Sequence, residues 1–209
     1  MSTTSTILLT TATAGYAAST AYALHLFRRL HIDPLTGLGN REVLSILARR
    51  AARTRRGGAV GVLLLDIDGF KAVNDTHGHE AGNHVLRVLA SRLAALRLPG
   101  EHPIRLHGDE FAVWLGCVPS GERGRQAAVH RADRVRAALA EPITVDGHRL
   151  RVAVSIGAHT LPAREVSLSA LLAGADAAMY ADKHDRRLTS LPATGRLRDQ
   201  RPEPGLESA

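Results

Sequence analysis

Two hydrophobic periods alternate along the chain from residue 33 onward. DPLTGLGNR (33 to 41) is a turn punctuated by Pro and Gly, and EVLSILARRAARTRR after it carries apolar residues at helical spacing until Gly57 and Gly58 stop it. AVGVLLLDID, residues 59 to 68, is an unbroken apolar run of strand length closed by acids, the pattern of a central strand covered on both faces. Val85, Leu86, Leu89, Leu93 and Leu96 then mark one face of a helix over 79 to 97. PIRL and FAVWLG flank HGDE as a hairpin, and Gly121 to Ala140 is an arginine-dotted amphipathic helix ending before Pro142. ITVDGHRLRVAVSIGAHTL reads as a second hairpin turning at Asp146-Gly147. SLSALLAGADAAMYADKHDRR is a last helix, with Ser167 or Ser169 as its cap.

Helix, strand, helix, hairpin, helix, hairpin, helix is the order of an α+β domain, a central mostly antiparallel sheet flanked by helices, over residues 31 to 188. From 189 to 209 Pro, Gly, Arg and Glu dominate without period, and a disordered tail is expected. Residues 1 to 30 form a separate segment. From 2 to 27 it holds no Asp, Glu, Lys or Arg, and Arg28 and Arg29 follow at once. Roughly 20 residues suffice to cross a bilayer, so residues 7 to 27 are long enough for an anchor to the inner face of the cell membrane. The two arginines would then hold the remainder in the cytoplasm. The segment is rich in Thr, Ala and Ser, however, and a frayed or partner-bound helix is the other reading.

Composition narrows the classes. With 209 residues and 44% hydrophobic content, the chain can bury one domain-sized core. Cys117 is the only cysteine, which excludes an intrachain disulfide and a Cys-based zinc site and fits a reducing compartment. The net charge of +7 comes from arginines in separate places, and aromatics make up only 3%, so no nucleic-acid partner is expected.

The acids suggest chemistry. Asp66 and Asp68 alternate with Ile67 on a strand, so their carboxylates share one face of the sheet. The hairpin supplies Asp109 and Glu110, of which only one can share that face. Acids at strand ends are usually solvated turn residues. Two such groups converging would instead make a hard-cation site, because Mg²⁺ prefers oxygen ligands and brings phosphates with it. Phosphoryl or nucleotidyl transfer is the matching chemistry. His77, His79 and His84 sit close in sequence, but two of them flank a glycine loop and no zinc is expected there.

DPLTGLGNR, DIDGFKAVNDTHGHEAGNHVL, RLHGDEF, VAVSIG and ADAAMYADKHDRR stand in the order in which the GGDEF family of diguanylate cyclases carries these segments. The chain resembles that family from residue 33 to about 187. The resemblance implies a fold like that of nucleotide cyclases and polymerase palms, and a reaction joining two GTP molecules into cyclic di-GMP within a homodimer. It implies Mg²⁺ (or Mn²⁺) held by Asp66, Asp109, Glu110 and the backbone carbonyl of Ile67. Asp109, or a water it holds, would help deprotonate the attacking hydroxyl. Lys71, Lys183 and Arg187 would offset the triphosphate's charge, Gly69 and Phe70 would wrap the phosphates, and Asn74 and Asn83 would meet the guanine.

The pattern also breaks. His107 replaces the first glycine of the signature, Asn83 replaces an aspartate used against guanine, and Asp182 and Arg186 stand where Ala and Gly are usual. A glycine at position 107 would serve a left-handed backbone or close approach to the ligand, so His107 either points its ring outward and leaves the hairpin unaffected or crowds the ribose or α-phosphate. Product-inhibited relatives carry RxxD where this chain has Leu98 and Glu101, so no inhibitory cyclic di-GMP site of that type is expected. Three readings result: an active cyclase, a degenerate domain that binds nucleotide and regulates a partner without turnover, and a membrane-tethered interaction module with an inert pocket.

Overall fold

A computed structural model describes residues 3–53, 58–145 and 147–190. Helix α1 (Thr3–His31) leads into α2 (Arg41–Arg53), strand β1 (Ala59–Asp68), helices α3 (Phe70–His77) and α4 (His79–Ala95), and the strands β2 (His102–His107) and β3 (Glu110–Val118). Then come α5 (Glu122–Leu139), the short strands β4 (Ile143–Val145) and β5 (His148–Leu150), β6 (Ala153–Pro162), a 3-10 turn and α6 (Leu168–Ser190).

The main sheet has the order β2-β3-β1-β6, and every neighbouring pair is antiparallel. The α+β class expected from the element order is therefore the one observed. β1 is central because it is apolar on both faces. Leu63, Leu65 and Ile67 join one buried cluster with Val85, Leu89 and Val135 from α4 and α5. Val60, Val62 and Leu64 join another with Leu44 of α2 and Leu171 and Ala175 of α6. Each layer buries an apolar helix stripe against one side of the sheet, which supplies most of the helices' stability. Asn40 caps α2 by accepting from the Glu42 amide at 3.0 Å, and Ser167, rather than Ser169, caps α6 by accepting from the Ala170 amide at 3.1 Å.

The expected second hairpin is split. β4 and β5 pair only with each other, and β6 joins the main sheet along β1 from Ala59↔Pro162 to Asp68↔Ala153. A ten-residue ladder on β1's open edge satisfies far more backbone groups than a pairing with three-residue β5 could. Helix α3 falls where the sequence pattern showed no element; its FKAVNDTH is rich in residues of middling helix propensity, and it starts directly after Gly69 at φ 70°. The turn residue Asp146 and the tail from 191 lie outside the described residues.

α1 is continuous over 29 residues, yet among the described residues no helix is long and apolar enough to cross a membrane. Length is not what fails. Thr, Ser and Ala dilute its apolar residues, while Tyr16, Tyr22, Leu24, Phe27 and Leu30 stay exposed.

Candidate active site

At its carboxyl end β1 turns polar without changing phase. Val60, Val62 and Leu64 face α6, so Asp66 and Asp68 project to that same side. Asp66 lies opposite Glu110 on β3 and opposite Ser155 on β6. Directly opposed residues share a face, so Glu110 is the hairpin acid that joins Asp66. Asp109 sits in the two-residue Gly108-Asp109 turn between β2 and β3. Ile67 has its side chain in the opposite core, 2% exposed.

Lys183 reaches this end from α6. Its Nζ donates to Asp66 Oδ2 at 2.5 Å and lies 3.9 Å from Asp68 Oδ1. Ser155, fully buried, donates from Oγ to Asp68 Oδ1 at 2.7 Å. One ammonium between two carboxylates offsets the repulsion that Asp66, Asp68 and Glu110 would otherwise build up.

Arg105 holds the acidic turn. Its Nε and Nη2 donate to the Gly108 carbonyl at 3.0 and 2.7 Å, and Nη1 donates to both Asp33 carboxylate oxygens at 3.1 and 3.2 Å. Asp33 also accepts from the Thr36 hydroxyl at 2.6 Å and amide at 2.9 Å. Burial pushes the Asp33 carboxyl up, but the Thr36 hydrogen bonds and the Arg105 guanidinium outweigh it and hold the group below its ordinary value. The DPLTGLGNR loop is thus tied to the turn that carries Asp109.

His107 does not occupy a glycine backbone. It ends β2 paired with Glu110, and the left-handed residue is the retained Gly108, at φ 51°. Its ring is largely exposed, with Nε2 3.2 Å from Glu110 Oε2. Of the two services expected of a glycine at 107, only close approach to a ligand is left for the histidine to disturb.

Helices α3 and α4 pack against each other beside the end of β1. A Cβ on Gly82 would lie 1.9 Å from Asn74 Oδ1 and 3.2 Å from Phe70 Cζ, so this glycine lets both side chains lie against α4. Asn83 follows on the same helix, its amide donating to Glu80 Oε1 at 3.3 Å. Lys71 is exposed on α3. The side chains of Arg186 and Arg187 lie outside the described residues.

No three His, Cys, Asp or Glu side chains gather into a metal cage among the described residues, the region of His77, His79 and His84 included. The facing carboxylates of Asp66 and Glu110, with Asp109 in the adjoining turn, still fit Mg²⁺, which is usually bound by one or two carboxylates with substrate phosphates completing its oxygen shell. A cavity of about 270 Å³ adjoins Glu110 between Arg41, Leu64 and Asp176, and a roomier one of about 610 Å³ lies away from the acids between α1, α2 and β2. At the acids a strand end, a turn and a cation converge: Asp66 and Asp68 on β1, the Gly108-Asp109 turn and Lys183.

Residues 30–189 match the model of the diguanylate cyclase GGDEF domain. The chain belongs to the GGDEF family. It is 39% identical over 181 residues to a 19.3 kDa protein in the repSA 5′ region of Streptomyces ambofaciens, covering 82% of this chain and 92% of that one. Diguanylate cyclase TpbB of Pseudomonas aeruginosa is 36% identical over 78% of this chain, which spans only 37% of TpbB's length. The crystal structure of a sensory box/GGDEF family protein from Caulobacter crescentus superposes with a TM-score of 0.66 at 35% identity, over 74% of this chain and 99% of that one. In this GGDEF domain four contributors were not foreseen: Ser155, Arg105, Gly82 and Arg136, the partner of Asp182. Gly82, an isolated glycine within a helical pattern, was the one with a readable signal.

Leu98 and Glu101, at the positions of the inhibitory motif, are otherwise engaged. Glu101 is buried and accepts from Arg131 Nε and Nη2, both at 2.7 Å, and from the Leu98 amide at 2.9 Å. Burial pushes its carboxyl up, and the Arg131 contacts and Leu98 amide more than reverse this.

Proposed function

We propose that this chain is a diguanylate cyclase, joining two GTP molecules into cyclic di-GMP with release of two pyrophosphates. The observation that carries it is the facing pair Asp66 and Glu110, set beside the Asp109 turn and within reach of Lys183.

Asp66, Asp109 and Glu110, with the Ile67 carbonyl, would hold Mg²⁺ or Mn²⁺. When bound, the cation draws charge from the phosphates and makes the attacking 3′-hydroxyl more acidic. Asp109, or a water it holds, takes the proton of that hydroxyl. Lys71, Lys183 and Arg187 offset the triphosphate's charge by charge-assisted hydrogen bonds. Phe70 and Asn74, packed over Gly82, border the nucleotide, and Asn74 and Asn83 meet the guanine edge. Each domain holds one GTP, so a second copy must bring the other, and each 3′-hydroxyl attacks the partner's α-phosphate. No RxxD feedback site is proposed, since Glu101 is committed to Arg131.

A second reading, nucleotide binding without turnover, is favoured by one contact: His107 lies against Glu110 where relatives have glycine. Purified full-length chain incubated with GTP and Mg²⁺, its products separated by chromatography, decides between them. Cyclic di-GMP formed at a rate per subunit that rises with protein concentration supports the cyclase. Nucleotide binding without product supports the second reading.

The proposed location of the domain is the cytoplasm, a reading supported by its lone cysteine and its proposed nucleotide chemistry. Attachment of residues 7–27 to the membrane's inner face is supported by their lack of charge and by Arg28 and Arg29. Fractionation with and without residues 1–27, at low and high salt, tests it. Full-length chain soluble in both conditions would remove the anchor.

A further inference from the structure

Asp182 stands on α6 where the family's pattern has a small residue, and its carboxylate is used on both sides. Oδ1 accepts from Arg136 Nη2 on α5 at 2.8 Å, and Oδ2 accepts from the Ile156 backbone amide on β6 at 3.0 Å. β6 is an edge strand of the main sheet, paired only with β1. An outward amide on such a strand needs a partner from outside the ladder, and an ionised carboxylate is a strong one. α5 belongs to the layer on one face of the sheet and α6 to the layer on the other. Asp182 therefore straps the two layers together around the β6 edge. Arg136 is itself oriented by Asp133, whose Oδ1 accepts from Nη1 at 2.7 Å.

The next residue is Lys183. An α-helix fixes the angle between successive side chains at about 100°, so a helix locked in rotation at Asp182 has Lys183's direction set as well. That direction leads to Asp66 and Asp68. The strap and the site also share β6, because Ser155, next to Ile156, donates to Asp68. A lysine has four rotatable side-chain bonds and loses most of their rotamer freedom when ordered. Fixing its helix removes one source of that disorder.

We propose that Asp182, held by Arg136, is a positioning residue that fixes α6 so that Lys183 is presented to the nucleotide's phosphates. The proposal rests on the nucleotide-binding reading above. It is distinct from a general role in stability, because Asp182 then acts through one other side chain.

A double-mutant cycle on the full-length chain tests it: parent, Asp182→Ala, Lys183→Met and the double variant, each titrated with GTP at fixed Mg²⁺. Asp182→Ala is expected to weaken binding about five- to tenfold in the parent, and less than about twofold when Lys183 is already Met. Asp182→Asn, which keeps an acceptor for the Ile156 amide, should recover part of the loss. Equal losses in both backgrounds would overturn the proposal and make Asp182 a purely structural residue. Crystal structures of the parent and Asp182→Ala chains provide a readout free of nucleotide: Lys183 Nζ should leave Asp66 in the variant. If the parent binds no GTP, the proposed function fails, and the structures still decide on the strap. Lys183 unmoved in Asp182→Ala would sink it.

Discussion

Asp66 on β1 stands directly opposite Glu110 on β3, two carboxylates on one face of an antiparallel pair. Like charges so placed destabilise a sheet, by about 0.2–1 kcal/mol on the scale of cross-strand pairs. Lys183, which donates to Asp66, offsets part of that repulsion, and Glu110 has only the largely exposed His107 ring beside it. Glu110→Gln should therefore leave the metal-free chain as stable as the parent or slightly more so, Asp66→Asn should be less stable than Glu110→Gln because it also gives up Lys183's counter-charge, and both should abolish Mg²⁺-dependent GTP binding. Thermal scans paired with nucleotide titrations check both halves, and a Glu110→Gln chain that loses stability and binding together would speak for a structural pair.

Gly82→Ala should act on the nucleotide more than on the fold. The added methyl meets Asn74 Oδ1 at 1.9 Å, so the Asn74 side chain has to leave α4. Alanine is otherwise the better helix residue, by close to 1 kcal/mol. GTP affinity is expected to fall about tenfold, the loss of one or two base-facing hydrogen bonds. An unchanged Kd would show that Asn74 does not touch the base.

At the guanine edge proposed for it, Asn83 would offer two adjacent donors only one acceptor, leaving one of them unpaired at about 1–3 kcal/mol. Adenine's donor and acceptor suit an amide better. GTP is expected to be preferred over ATP only weakly, and Asn83→Asp should sharpen the preference. Competition titrations of both nucleotides on both chains measure it, and equal affinities for both variants would remove the idea.

His107→Gly tests the variant signature. Because the left-handed position is Gly108, removing the ring should leave the hairpin intact and release Glu110 from its 3.2 Å contact. Turnover at saturating GTP should rise by about tenfold or more with affinity nearly unchanged, since small misplacements near reacting atoms cost rate before binding. A variant no faster than the parent would clear the histidine of any role in limiting activity.

Glu101 and Arg131 form a buried pair, with side chains 5% and 8% exposed. Glu101→Gln leaves the guanidinium without its counter-charge and should cost about 3 kcal/mol at neutral pH. The folded-state value of Glu101 is lowered, so its contribution is complete above the unfolded carboxylate's range and disappears as pH falls through the folded value. Urea midpoints of parent and variant should therefore converge on acidification. A gap that stays constant down to strongly acid pH would mean that the charge contributes nothing.

The hydrophobic pattern alone determined that β1 is central, that helices cover it on both faces, and that Asp66 and Asp68 share a face, because strand and helix periods are local properties of the chain. The five family segments fixed the choice of family for the same reason: motifs are read in order, without knowing what touches what. Tertiary structure decided the register. Only the pairing of β3 and β6 with β1 made Glu110 the acid that faces Asp66, brought Ser155 onto Asp68 and separated β6 from the β4–β5 hairpin. It also decided the long-range cations. Arg105 meets Asp33 across 72 residues, Lys183 meets Asp66 across 117, and Arg136 meets Asp182 across 46. An arginine or lysine on a surface-looking helix carries no mark of its partner, since a long side chain's destination depends on which elements the core has already packed beside it.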